Sequence, residues 1–152
     1  MTLHQERLIL AVAHVTDSTK ACATAGDAAM STILPAYYAL AAEAVTAGGG
    51  VFVKTFGDGV LLTFPPDRAR VVIEGLRKFQ EAGTTLWQGL DARCGIQVKV
   101  AIGSVLCGLL GPPGDERLDV IGNALNVLFK APWQDFVVSS EVLALAETAP
   151  PD

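Results

Sequence analysis

The stretch Lys54-Thr55-Phe56-Gly57-Asp58-Gly59 lies between two short apolar runs near the middle of the chain. Val51-Phe52-Val53 precedes it and Val60 to Phe64 follows it, and each run predicts a β-strand. The Asp58-Gly59 pair predicts a tight turn between them, because glycine adopts a positive φ at little cost. The stretch therefore predicts a β-hairpin with a carboxylate at its tip. That carboxylate either caps the turn or holds a cation.

The chain before the hairpin predicts one strand and a long helical region. Leu8 to Val15 is an apolar run typical of a buried central strand. Thr16-Asp17-Ser18-Thr19 predicts a turn followed by a helix N-cap. Helix is predicted from about Lys20 to Ala47 with a break near Pro35, because proline cannot donate a hydrogen bond inside a helix.

The chain after the hairpin predicts a mixture of helices and short strands. A helix should follow Pro65-Pro66-Asp67, and Ile96–Ile102 should turn at Gly103-Ser104 to pair with Val105–Leu110 as an antiparallel partner. The remaining predictions are a strand at Leu118–Ile121, a helix from Asn123 to about Lys130, a strand at Phe136–Val138, a helix from Ser139-Ser140-Glu141 and an unstructured tail at Pro150-Pro151-Asp152. This order predicts an α+β fold, with helices packed on a mostly antiparallel sheet.

Composition sets further limits. The 152 residues predict a single domain over 1–152. Although 51% of residues are hydrophobic, the sequence predicts no apolar run of the ~18–20 residues that a membrane span needs, so we expect no membrane segment and a buried subunit interface instead. The net charge of −5 argues against a nucleic-acid surface. Three cysteines without metal-type spacing, and an N-terminus without a signal-peptide pattern, predict a cytoplasmic protein with reduced thiols.

Two motifs occur in order along the chain. The hairpin reads Lys54-Thr55-x-Gly57-Asp58 after a triple glycine, and a later segment reads Asp119-x-x-Gly122-x-x-x-Asn126-Val127. Together they resemble the class III adenylate/guanylate cyclase catalytic domain, and the resemblance extends over about residues 7–145. It implies a ferredoxin-like βαββαβ core, and a homodimer in which Asp58 of one chain faces Asn126 of the other.

The resemblance also implies a role for each matching residue. Lys54 would donate to the adenine ring nitrogen and Asp119 would accept from the exocyclic amine, which suits adenine and mismatches guanine. Asn126 would orient the ribose. Asp58 would be one of two aspartates that hold two Mg²⁺ or Mn²⁺ ions on the triphosphate.

Two site residues depart from the family pattern. His14 stands where the first metal aspartate is expected, and a neutral imidazole is a poor Mg²⁺ ligand without negative charge. His14 is alternatively a strand-end residue hydrogen-bonded to the backbone, and Asp17 either replaces the missing carboxylate or caps a helix. Lys130 stands where an arginine on the α-phosphate is expected, so the charge is kept but the bidentate fork is lost.

The segments around these residues depart too. Ala101-Ile102-Gly103 replaces a His-Thr-Gly turn, and the helix after Asn126 is shortened at Ala131-Pro132-Trp133. Three functions stay open. The chain is an impaired nucleotide-binding or regulatory pseudo-cyclase, an active adenylate cyclase making cyclic AMP and pyrophosphate from ATP, or a structural partner in a heterodimer with a complete cyclase. The expected ligand is ATP or a related nucleotide.

Overall fold

The computed structural model describes residues 3–148, which form six strands and five α-helices. The strands are β1 His4–Val15, β2 Val51–Phe56, β3 Gly59–Phe64, β4 Ile96–Leu110, β5 Arg117–Ile121 and β6 Phe136–Val138. The helices are α1 Ser18–Ala25, α2 Asp27–Gly48, α3 Ala69–Gln88, α4 Asn123–Lys130 and α5 Ser140–Thr148, with a short 3-10 helix at Pro66–Arg68. The predicted α+β class is confirmed. The predicted tail at Pro150-Pro151-Asp152 lies outside the described residues.

One curled sheet carries the fold. Its strand order is β2-β3-β1-β4-β5, and β6 pairs with β4. Neighbouring strands are antiparallel except for β4 and β6, which are parallel. The first four strands therefore have the predicted ferredoxin-like βαββαβ arrangement. The curvature brings the edge strands β2 and β5 into contact, so the sheet is nearly closed into a barrel.

The central strand β1 is covered on both faces, which explains its uninterrupted apolar sequence. Ile9, Ala11 and Ala13 belong to the core under the helices α2, α3 and α5. Leu8, Leu10 and Val12 belong to a second core on the opposite face, where α4 packs. Because successive strand residues point to opposite faces, a strand buried on both faces is apolar throughout. The predicted buried strand is confirmed, and it begins earlier than predicted, at His4.

The helical region breaks at a different residue from the one predicted. α1 and α2 are separated at Gly26, whose φ of 89° suits glycine. Pro35 lies inside α2, so the predicted break there is wrong. Pro35 is on the exposed side of the helix, where water can solvate the carbonyl that loses its partner. Ile33 and Tyr37 stay buried on the other side, and their packing keeps the helix continuous.

The predicted turn at Gly103-Ser104 is also wrong. β4 is one strand of 15 residues, and both of its halves pair with β1, through register pairs such as Leu8↔Gly103 and Arg7↔Ser104. Gly103 is required for a different reason, because a Cβ there would collide with the side chain of Ala124 in α4. Gly103 thus marks the place where α4 approaches the sheet closely, whereas the sequence predicted a turn there.

The sequence analysis expected no segment long and apolar enough to cross a membrane, and α2 is an exception to that expectation. By length and composition, α2 is long and apolar enough to cross a membrane, with a mean hydropathy of 1.2 in its 18-residue window. In this fold it packs on α3 and the sheet through Ile33, Tyr37, Ala41 and Ala44. It therefore contributes to the larger core.

Candidate functional site

The turn of the β2–β3 hairpin consists of Gly57 and Asp58, between the paired residues Phe56 and Gly59. Gly57 has a φ of 64°, and Gly59 is not among the residues with positive φ. The sequence predicted a positive φ at Gly59, and the structure has it at Gly57 instead. Gly57 is the first residue of the turn, where a type II′ hairpin favours glycine. A Cβ at Gly59 would instead collide with the ring of Phe56. Both glycines are needed, for two different reasons.

Asp58 is held towards the start of α1. Its carboxylate accepts a hydrogen bond from the Ser18 hydroxyl, so the prediction that it caps its own turn is not supported. The Tyr38 hydroxyl donates to the Gly57 carbonyl at 2.8 Å and fixes the hairpin tip to α2. Burial, and then the nearby Asp58 carboxylate, raise the pKa of Tyr37, which keeps that phenol neutral. The carboxylate of Asp58 is thus positioned by α1 and surrounded by neutral groups of α2.

His14 contacts two neighbouring side chains, those of Gln97 and Trp133. Its Nε2 lies 2.7 Å from Oε1 of Gln97, its partner on β4, and its ring is stacked on Trp133 at 3.8 Å between centroids. The partner is a side chain, so the prediction of a backbone hydrogen bond is wrong. Nε2 of His14 is thus engaged by the Gln97 amide and would have to give up this hydrogen bond to bind a metal ion.

A buried lysine lies beside His14, and sequence reasoning missed it. The Lys99 side chain is fully buried, and its Nζ donates to the carbonyls of Ala131 at 2.7 Å and Phe129 at 3.1 Å. The same Nζ lies 3.9 Å from the centre of the Trp133 ring. Burial lowers the pKa of Lys99. The segment after α4 covers this lysine, through the carbonyl of Ala131 and the ring of Trp133.

Asp17, the alternative source of the missing carboxylate, lies at the start of α1. It has a φ of 57° at the N-cap position of α1 and makes no side-chain capping hydrogen bond, so the predicted cap is wrong. Its carboxylate lies 3.9 Å from Nζ of Lys20. Within residues 3–148, neither Asp17, Asp58 nor His14 belongs to a cluster of three possible metal ligands.

Lys54 and Asp119 meet where the two edges of the curled sheet approach each other. Nζ of Lys54 lies 3.0 Å from Oδ1 and 3.2 Å from Oδ2 of Asp119. Oδ1 also accepts the backbone N–H of Val120 at 2.8 Å, which orients the carboxylate. Both residues line an open cavity of about 610 Å³ between β2 and the loop before β5. The sequence placed these residues on different strands, and the fold brings them together.

Asn126 and Lys130 lie apart from this pair. Both are exposed on α4, one helical turn from each other. Within residues 3–148 neither side chain makes a hydrogen bond or an ion pair. α4 meets the hairpin through Phe129, whose ring lies 5.5 Å from that of Phe56. One chain therefore presents these two side chains outward.

The residues present do not fit a pair of Mg²⁺ or Mn²⁺ ions. Such ions take several oxygen ligands each, and carboxylates offset their charge. The described region offers the carboxylate of Asp58 with the hydroxyl of Ser18, while the imidazole of His14 supplies no negative charge and is bonded to Gln97. The buried ammonium of Lys99 adds positive charge on the His14 side, against the ring of Trp133. No catalytic step through two cations follows from this set.

The comparison with solved structures gives the fold. The adenylyl cyclase CyaB from P. aeruginosa matches with a TM-score of 0.84 and 16% identity, over 97% of this chain and 83% of that one. The guanylyl cyclase Cya2 matches with a TM-score of 0.79 and 19% identity, over 96% and 81%. The catalytic core of a rhodopsin-guanylyl cyclase with converted specificity, in complex with ATPalphaS, matches with a TM-score of 0.79 and 17% identity, over 97% and 86%.

These matches define the class of protein at the level of fold. The chain has the fold of class III adenylyl and guanylyl cyclase catalytic domains, and the predicted resemblance is confirmed at that level. No protein-family model and no curated protein matches the sequence.

Proposed function

We propose that the chain is a class III cyclase-like domain that binds an adenine nucleotide and has impaired cyclase activity. Two observations carry this proposal, one for impaired activity and one for binding. At the position where the family resemblance requires a metal carboxylate, His14 is hydrogen-bonded to Gln97 and stacked on Trp133. At the position where the resemblance requires base recognition, Lys54 and Asp119 are already paired.

Impairment follows from the charge that the reaction develops. Attack at the α-phosphorus places negative charge on both the attacking and the leaving oxygen, and two cations normally offset it. His14 provides no negative charge to hold a cation, and Lys99 is buried against the same tryptophan. Lys130 supplies a point charge in place of the arginine fork, which weakens the positioning of the phosphate further.

Binding of adenine follows from the donors and acceptors that stay available. The Lys54 ammonium has three protons, so it can keep one on Asp119 and offer another to the adenine ring nitrogen. Asp119 can accept from the exocyclic amine of adenine through Oδ2. Guanine presents the opposite order of donor and acceptor at that edge. The pair therefore favours ATP over GTP.

Titration calorimetry with ATP and GTP tests the binding part of the proposal. We expect ATP to bind about tenfold more tightly than GTP, the equivalent of one or two hydrogen bonds. Lys54→Glu should reduce that preference. Lys78→Glu makes the same charge change on the exposed side of α3 and should leave the preference intact. Equal affinities of the unmodified chain for the two nucleotides would refute the assignment of Lys54 and Asp119.

A second function is favoured by the outward position of Asn126 and Lys130. These side chains have no partner within the described part of the chain, so they are free to complete a site on another subunit. In that function the chain is the structural half of a heterodimer with a complete cyclase. A chain that binds no nucleotide alone, yet raises the turnover of a complete cyclase domain mixed with it, would support this function over the first.

A cytoplasmic location is part of the first proposal. Cys22, Cys94 and Cys107 are free thiols, an arrangement typical of a reducing compartment. Fractionation of cells that express the tagged chain tests the location.

A further inference from the structure

A second group of metal-ligating side chains lies at the opposite end of β1 from His14. His4 and Cys107 are direct partners in the β1–β4 register, and Glu6 follows His4 by two residues. Directly opposed residues and residues two apart on one strand share a face of the sheet. All three side chains line the same apolar cavity of about 290 Å³. None of them takes part in the proposed nucleotide site.

The ligand atoms of this group lie close together. One atom from each of His4, Glu6 and Cys107 is within 4.8 Å of the other two, and no other such group of three occurs within residues 3–148. Nε2 of His4 lies 2.9 Å from Oε2 of Glu6. The Cys107 residue is only 6% exposed, while His4 and Glu6 are exposed. Two exposed ligands beside a nearly buried sulfur leave an open approach for an ion.

The chemistry of the three atoms selects the class of cation. Imidazole nitrogen, thiolate sulfur and carboxylate oxygen are the ligands that Zn²⁺ takes, usually four around the metal. Sites with three protein ligands keep a fourth position for water or another ligand. Mg²⁺ and Ca²⁺ prefer oxygen ligands and have little affinity for a thiolate. The group therefore suits a zinc-class ion.

We propose that His4, Glu6 and Cys107 form a binding site for one zinc-class divalent cation. The site uses two adjacent strands of the central sheet, so its ligands are held by a rigid scaffold and need only small side-chain movements to close on the ion. Binding would join the N-terminal end of β1 to the second half of β4 through a metal bridge. This proposal does not depend on the proposed nucleotide site.

Cobalt spectroscopy of the full chain tests the site. The tag-free, reduced protein is stripped with a chelator and titrated with Co²⁺ and then with Zn²⁺, in the presence of excess Mg²⁺. We expect one equivalent of Co²⁺ to give a near-ultraviolet thiolate-to-cobalt charge-transfer band, which Zn²⁺ then removes by displacement. Cys107→Ser should abolish the band. Cys22→Ser removes a half-buried thiol outside the group and should leave the band unchanged.

The exposed ligands provide a test that does not depend on the buried thiol. His4→Ala and Glu6→Gln alter exposed side chains and should preserve the fold, which circular dichroism checks. Each should weaken Zn²⁺ binding at least about tenfold, since even residues that only support a ligand have effects of that size. Absence of the charge-transfer band, its survival in Cys107→Ser, or unchanged Zn²⁺ affinity in both His4→Ala and Glu6→Gln would overturn the proposal.

Discussion

Trp133 links the residues that replace the expected metal site. Its ring is stacked on the ring of His14, with 3.8 Å between the two centroids, and the ammonium of Lys99 lies 3.9 Å from the centre of the Trp133 ring. Lys99 in turn binds the carbonyls of Phe129 and Ala131, so the tryptophan, the lysine and the end of α4 form one connected cluster. A side chain in the loop after α4 therefore decides what β1 and β4 present at this position.

Replacement of Trp133 tests whether this cluster contributes to stability. Trp133→Ala should lower the free energy of unfolding by roughly 2 kcal/mol, because it removes both the stacking on His14 and the cation–π contact with Lys99. Trp133→Phe keeps an aromatic ring and should lose less than half of that amount. Urea unfolding followed by circular dichroism measures both variants. Equal losses in the two variants would show that the ring contacts contribute little.

For single residues, the sequence indicated which residues belong to the candidate site but not which side chains surround them. Lys54 and Asp119 were predicted to act together, and the fold pairs them at 3.0 Å. The surroundings of His14 could not be predicted, because they depend on a loop more than a hundred positions further along the chain. Lys99 shows the same limit. A lone lysine between valines reads as an exposed strand residue until a tertiary contact covers it.

The β2–β3 hairpin is the element that holds Asp58 and Lys54 in place. Its two-residue turn depends on the left-handed backbone of Gly57, and Tyr38 and Ser18 fix its tip from α2 and α1. The sequence predicted the hairpin but assigned the special backbone geometry to the wrong glycine. Two glycines flank Asp58, and only the pairing register shows which one occupies the turn.

Substitution of Gly57 tests this account of the hairpin. Gly57→Ala should destabilise the protein by about 1–2 kcal/mol, since a Cβ is disfavoured in left-handed backbone. Gly57→Asn is the matched control and should cost less, because asparagine tolerates this region more readily. Thermal or urea unfolding of both variants provides the comparison. A Gly57→Ala variant as stable as the unmodified chain would contradict the assignment of the turn.

The whole molecule leaves a set of large apolar side chains exposed. Those on the hairpin, β4, β5 and α4 are Val51, Phe56, Leu106, Leu109, Leu118, Ile121, Val127 and Phe129, and Leu143 lies on α5. A subunit interface would bury side chains of this kind, and the composition of the chain predicts such an interface. Asn126 and Lys130 lie on the same helix as Val127, so a partner at α4 would meet them.

Light scattering at micromolar concentration tests the predicted two-fold dimer. The unmodified chain should have twice the mass of one chain. Val127→Asp places a charge on a side chain that is 60% exposed on α4 and should shift the protein to monomer. Leu143→Asp makes the same kind of change on α5 at 44% exposure and should leave the dimer intact. A monomeric unmodified chain would refute the prediction.

The overall fold was predictable because its signals are local or repeated. The hairpin, the buried strand β1 and the order of elements follow from apolar runs and turn residues. The structural role of each glycine could not be predicted from the sequence. Gly103 allows Ala124 to pack closely on the sheet, and Gly26 separates α1 from α2. The candidate site was predicted only through the resemblance to a family, because its residues come from distant positions in the chain, and their roles stay predictions.

Turnover of ATP by the pure protein decides between an impaired and an active domain. Cyclic AMP and pyrophosphate are measured with Mn²⁺ and ATP for the unmodified chain, His14→Asp, Lys130→Arg and the double variant. Loss of a metal carboxylate costs several kcal/mol of charge stabilisation, or roughly two to four orders of magnitude in rate at about 1.36 kcal/mol per decade. We therefore predict near-background turnover by the unmodified chain and a measurable rise in the double variant, with His14→Asp giving the larger single effect. Robust turnover by the unmodified chain would contradict the proposed impairment.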